Sequence, residues 1–138
     1  MSTRLIVRYA ETDQMGIVHH SVYPIWYEAA RTEFIRSFGL SYSDMEKAGV
    51  MLPVIEVNCK YKSPFFYEDE VEIAVKINLL TPSKIEFAYE LTKAGETAVR
   101  NMGTTLHPFT NTDLRPINMK KHFPEIYKII SDVYENQK

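Results

Sequence analysis

A chain of 138 residues is long enough for one hydrophobic core and too short for two, and its 45% apolar and 25% charged content excludes a disordered or fibrous protein. Its net charge of −2, with both signs interspersed, leaves no electrostatic footprint for nucleic acid. The lone Cys59 has no internal partner, the opening MSTRLIVRYAETD turns polar too early for a secretory leader, and no apolar run approaches the roughly 20 residues of a membrane span. The expectation is one cytoplasmic domain over residues 1–138.

In chain order, residues 4 to 9 (RLIVRY) predict a short strand ended by the polar turn from Glu11 to Gly16. A long helix follows, with Ser21 as its N-cap, Pro24 in its first turn, where a missing N–H costs little, and Gly39 where it stops. Val22, Ile25, Trp26, Ala29, Ala30 and Phe34 cover so wide an arc that this helix should be surrounded by protein. Ser41 or Ser43 caps a short second helix through Ala48, which Gly49 ends.

The middle of the chain reads as strand. In Val54 to Lys62, Ile55, Val57, Cys59 and Tyr61 alternate with polar residues, which predicts a sheet with one buried face. Val71, Ile73, Val75, Ile77 and Leu79 repeat the pattern, as do Ile85, Phe87, Tyr89 and Leu91, with Thr81-Pro82-Ser83 as the turn between them. Ala94-Gly95-Glu96 forms a second hairpin turn before a strand from Thr97 to about Phe109. Pro116 and Pro124 bracket the entry to a last helix, striped by Phe123, Ile126, Tyr127, Ile130 and Val133 or Tyr134. This order predicts an α+β protein in which an antiparallel sheet curves around the long helix, the architecture called a hotdog fold.

Asp13 is the only carboxylate between Thr12 and Tyr27, and only the Gly16 turn separates it from the helix start. A carboxylate beside a helix N-terminus suits hydrolysis: the first acts as base or nucleophile, and the second offers N–H groups to a developing oxyanion. The blander role for Asp13 is to cap its own turn. His19 and His20 invite a metal site with Asp13 or His107, but adjacent histidines diverge and no second ligand pair has the spacing, so no metal is expected. Cys59 sits at an inward strand position and reads as a small hydrophobe, and Glu28 on the helix reads as structural. Among Lys60, Lys62, Lys84, Lys93 and Arg100, most are outward strand positions; Lys62 and Arg100 are the candidates for phosphate contact.

The segment Tyr9-x-x-x-Asp13-x-x-Gly16-x-Val18-x-His20-x-x-Tyr23, continued by Glu28-Ala29-Ala30-Arg31-Thr32-Glu33, resembles the hotdog-fold acyl-CoA thioesterases related to 4-hydroxybenzoyl-CoA thioesterase. It looks most like their subgroup associated with the bacterial Tol-Pal envelope system. The likeness is densest over residues 5 to 37 and extends through Tyr61-Lys62-Ser63-Pro64 and Asp69-Glu70-Val71 to about residue 110.

The resemblance implies that Asp13 is the catalytic carboxylate, as nucleophile or general base, and that the backbone N–H near His20 polarises the thioester carbonyl. It further implies that Tyr9 and the His20 side chain shape the catalytic site, with Gly16 and His19 binding substrate, and that no cofactor is needed because coenzyme A is part of the substrate. It also implies a homodimer or homotetramer with active sites at a subunit interface. His19 stands where many relatives carry an aromatic residue, which implies a more polar pocket. Two other functions compete: hydration or dehydration of an enoyl thioester by Asp13 with His19 or His20, and a non-catalytic module that binds acyl thioesters or proteins.

Overall fold

The computed structural model describes residues 2–138. Strand β1 (Ser2–Ile6) leads into a 3-10 turn at Tyr9–Glu11, and a second 3-10 turn at His20–Val22 opens helix α1 (Tyr23–Ser37). Helix α2 (Tyr42–Ala48) follows, then strands β2 (Glu56–Tyr61), β3 (Glu70–Thr81), β4 (Lys84–Lys93) and β5 (Val99–Pro108), and finally α3 (Met119–His122) and α4 (Pro124–Asn136). All strands lie in one antiparallel sheet of order β1-β3-β4-β5-β2, so β1 and β2 are its edges.

The core forms where α1 crosses the inner face of β3, β4 and β5. Val71, Ile73, Val75 and Ile77 of β3 and Ile85, Phe87, Tyr89 and Leu91 of β4 are all buried there, as their alternation requires. From α1, Tyr23, Trp26, Tyr27, Ala30, Phe34 and Ile35 meet them, and the Tyr27 ring stacks on Tyr89 at 4.2 Å. Gly103 on β5 permits this approach: a Cβ there would lie 2.2 Å from the Asn58 carbonyl oxygen and 2.6 Å from the Tyr27 hydroxyl. The Tyr27 hydroxyl donates a hydrogen bond to Asn101 Oδ1.

Several expectations need correction. The first strand stops at Ile6, and Tyr9 belongs to a 3-10 turn instead. Leu79 is not the next inward residue of β3, because Asn78 is an extra residue at a bulge; Ile77 pairs with Phe87 and Leu79 with Glu86, and Leu80 turns inward in its place. Helix α1 is not enclosed on most sides, since Ile25 is 61% exposed and Ala29 is exposed too. Nor does β2 bury one face. Ile55, just ahead of the strand, is 62%, and Val57 45% and Tyr61 54% exposed in this edge strand, of which only Cys59 is partly buried against the core.

Ser41, not Ser43, caps α2 by accepting from the Asp44 N–H. The last helix arrives in two pieces, with Asn118 capping α3 and Pro124 starting α4. Ile130 is buried, and the Gln137 side chain bonds both the N–H and the C=O of Ile77, closing the end of α4 onto β3 beside the bulge.

Candidate active site

The loop carrying Asp13 is a small hairpin. Thr12 and Val18 pair as a bridge, the Asp13 N–H donates to the Ile17 carbonyl, and the Gly16 N–H donates back to the Asp13 carbonyl. Gly16 has φ +81°, the left-handed conformation that a glycine adopts without a Cβ penalty. The Asp13 side chain takes part in this turn: Oδ1 accepts the Met15 N–H at 2.8 Å, while Oδ2 has no bond among the described residues. The turn-cap role and an available carboxylate oxygen therefore coexist in one residue.

At the facing wall, His19 rather than Ser21 caps the turn that opens α1. Its Nδ1 accepts the Ser21 N–H at 3.2 Å and lies 2.7 Å from the Ser21 hydroxyl, so the imidazole serves local structure. The His20 ring packs on it with centroids 4.2 Å apart. The His20 carbonyl accepts the Tyr61 hydroxyl at 3.1 Å, which ties the helix start to the end of β2. The His20 N–H has no acceptor among the described residues, as befits the first donor of a helical turn.

Asp13, His20 and Tyr23 line one cavity of about 280 Å³ with Met15, Ile17, Val18, Tyr61, Lys62, Ser63 and Pro64. Asp13 and Lys62 bring opposite charges to it, and most of the remaining lining is apolar or aromatic. Burial, only partly offset by a bond with the Phe65 backbone, pushes the Tyr23 hydroxyl up to about 12, so it stays neutral in the wall.

Tyr9 and Gly16 do not join this cavity. They line a second one of about 620 Å³ with Ala10, Thr12, Gln14 and Tyr67, and Asp13 borders both. Tyr9 is 77% exposed and packs edge-on to Tyr67.

Arg100 lines neither cavity. Its guanidinium donates to the Pro64 carbonyl at 2.8 Å and to Glu96 at 3.1 Å, approaches Asp69 at 3.9 Å and lies over the Phe65 ring. It is thus a strut under the Ser63-Pro64 wall. His107 is fully buried on β5, bonded to the Thr105 hydroxyl and the Leu52 carbonyl. Among the described residues no group of three or more His, Cys, Asp or Glu side chains is arranged to hold a metal ion.

The residue that the sequence reasoning passed over is Glu11, which is 6% exposed. Its carboxylate accepts the Trp26 indole N–H at 2.8 Å and the Arg8 N–H at 2.8 Å, and its carbonyl accepts the His19 N–H at 2.9 Å. Burial opposes its charge, but the Arg8 N–H, the Trp26 indole and the Arg8 guanidinium together hold its carboxyl below the usual range. The available signal was an acid two residues before Asp13 and a tryptophan one turn into the helix.

With the geometry in view, residues 7–127 match the sequence signature of the thioesterase-like superfamily. The chain belongs to that superfamily. Bacillus subtilis YneP, provisionally classed as an acyl-CoA thioesterase, is 40% identical over 121 residues, 86% of each chain. The Escherichia coli acyl-CoA thioester hydrolase YbgC is 30% identical over 91 residues, 66% of this chain and 68% of its own. The crystal structure of DHNA-CoA thioesterase from Staphylococcus aureus superposes with a TM-score of 0.87 at 32% identity, covering 99% of this chain and 94% of that one. This member of the thioesterase-like superfamily therefore has the hotdog fold expected from its strand and helix order. No helix among its described residues is long and apolar enough to cross a membrane.

Proposed function

We propose that this chain hydrolyses acyl-CoA thioesters to a carboxylic acid and coenzyme A in the cavity between the Asp13 hairpin and the start of α1. Membership of the thioesterase-like superfamily, with relatives named as acyl-CoA thioesterases, fixes thioester hydrolysis as the reaction class. The observation that carries the site assignment is that Asp13 and His20 line one cavity, the acid with an unengaged oxygen and the backbone with an unengaged N–H.

The thioester oxygen takes the His20 N–H, where the partial positive charge of the α1 start stabilises the tetrahedral oxyanion. Asp13 Oδ2 either attacks the carbonyl carbon, forming a mixed anhydride that water opens, or removes a proton from an attacking water. The C–S bond breaks to release the thiolate, a leaving group that needs little acid assistance. Lys62, which lines the cavity, suits an anionic portion of coenzyme A. Tyr9, Gly16 and His19 support the site through the hairpin and the capped turn.

The active assembly is a homo-oligomer, dimer or tetramer, with its sites at a subunit boundary. Ile25, Val54, Ile55, Val57 and Tyr61 are each more than two-fifths exposed in the single chain, and together they run from the outer side of α1 onto edge strand β2. The finer placement in the subgroup associated with the Tol-Pal system rests on the motif from Tyr9 to Tyr23, and the cytoplasmic setting on the unpaired Cys59.

The test is thiol release from short, long and aromatic acyl-CoAs by the parent chain and by Asp13→Asn. Turnover of at least one substrate by the parent, lost in the variant, is expected. A variant that hydrolyses at the parental rate would refute the assignment of Asp13.

A further inference from the structure

Glu11 is an acid buried beside a proposed active site, and that mechanism gives it no part. Its hydrogen bonds join three different pieces of the chain: Arg8 ahead of the hairpin, the His19 N–H behind it, and the Trp26 indole one turn inside α1. Asp13 follows Glu11 by two residues, and His20 follows His19 directly. Both walls of the cleft are therefore fastened to the same residue, one through the chain and the other through the Glu11 carbonyl.

Trp26 supplies the rigid end of the tie. It is 3% exposed, and its ring meets Tyr23 and Phe65 edge-on at centroid distances of 5.3 and 6.2 Å. A packed indole cannot follow a wandering carboxylate, so the carboxylate is held at a fixed place on the helix.

We propose that Glu11 is a positioning residue, which sets the separation between the Asp13 carboxylate and the His20 N–H by clamping the hairpin to Trp26. The inference rests on the reading of the site given above. The charge state matters to the clamp. Donors reach both carboxylate oxygens, the Arg8 N–H at Oε1 and the Trp26 Nε1–H with the Arg8 guanidinium at Oε2, and a carboxamide meets one side with an NH2 group that cannot accept. Glu11→Gln thus opens the clamp with almost no change of volume. Trp26→Phe removes the donor and keeps an aromatic ring in the core.

The experiment measures kcat and KM for an acyl-CoA that the parent hydrolyses, with Glu11→Gln, Trp26→Phe, the double variant and Asp13→Asn compared in parallel, alongside thermal unfolding. A misplacement of the two walls should lower kcat by about ten-fold or more in Glu11→Gln with KM within about two-fold. The double variant should be no slower than Glu11→Gln, because both changes open the same contact.

Parental kcat in Glu11→Gln, or a change confined to KM, overturns the proposal while an inactive Asp13→Asn leaves the hydrolytic site standing. Parental turnover by Asp13→Asn removes the site reading itself, and the clamp with it. If Glu11→Gln does not fold, Trp26→Phe decides alone: a lowered kcat at unchanged KM supports the clamp, and parental kcat overturns it.

Discussion

Asp13 Oδ1 accepts the Met15 N–H at 2.8 Å, so the carboxylate caps its own turn with one oxygen and leaves the other unengaged. Charge and cap are separable by substitution. Asparagine retains an oxygen for Met15 and loses the negative charge; alanine loses both. Turnover should fall by about a hundred-fold or more in both variants. Only Asp13→Ala should also lose stability, by about 1 kcal/mol in urea unfolding, as a missing side-chain cap does. Equal stability of the two would show that the Met15 bond contributes nothing to the turn.

Tyr61 reaches from the end of β2 to the His20 carbonyl at 3.1 Å and so steadies the peptide that begins the helix. In Tyr61→Phe the ring keeps its edge-on contact with Tyr23, at 5.3 Å between centroids, while the bond disappears. A bond of about 1 kcal/mol that serves this geometry predicts a drop in kcat of about five-fold. Steady-state kinetics should detect it with little change in melting temperature.

Gly103→Ala should destabilise the fold by about 2 kcal/mol or more, because the added methyl meets the rigid backbone of β2 as well as the Tyr27 hydroxyl. Chemical unfolding checks this. An unchanged midpoint would mean that β2 slides outward without cost.

His107 predicts an acid-sensitive core. Burial, with the nearby Arg31 charge adding to it against bonds to the Leu52 and Pro53 backbone, lowers its imidazole from 6.5 to about 4. Above pH 6.5 the ring is neutral folded or unfolded, and it contributes no pH dependence. As pH falls from 6.5 to about 4, the unfolded chain takes up a proton that the folded one refuses, so stability declines across that window. The loss should approach about 3 kcal/mol. His107→Gln should flatten the slope of unfolding free energy against pH there. Glu11, whose carboxyl is held low, adds its own loss from about pH 4.5 downward, where the unfolded chain's carboxyl takes up a proton before the folded one does.

Val57→Glu should dissociate the assembly. Val57 is 45% exposed and lines a cavity of about 230 Å³ with Pro24, Ile25, Glu28, Arg31, Val54 and Thr105, the surface assigned above to subunit contact. Sedimentation should show the parent as a dimer or larger and the variant as a monomer with reduced turnover. A parent that sediments as a monomer at micromolar concentration, yet hydrolyses thioesters, would rule out a shared site.

Periodicity exposed most of the architecture in advance, because β3, β4 and the inner face of α1 bury their apolar residues within one chain and alternate accordingly. It misled at β2, where the same alternation marks residues left uncovered by their own chain. It also missed the Asn78 bulge, since an added residue leaves both flanking patterns intact and shifts only their relative phase. Within the site, the short motif from Tyr9 to Tyr23 pointed to Asp13 and His20, which the fold brings to one cavity. The Glu11–Trp26 bond was hidden because its partners are 15 residues apart and meet only after the hairpin folds back on the helix. Arg100 drew attention by its charge, and only the Pro64, Asp69 and Glu96 contacts show that this charge is already neutralised locally.

The unpaired outer side of β2 has a consequence for the making of the protein. A row of free amides and carbonyls flanked by Ile55, Val57 and Tyr61 is a template for sticking to any extended chain nearby. Newly synthesised copies are therefore most prone to clumping before that border finds its proper cover, and yield on expression should depend more on temperature and dilution than on the strength of the core.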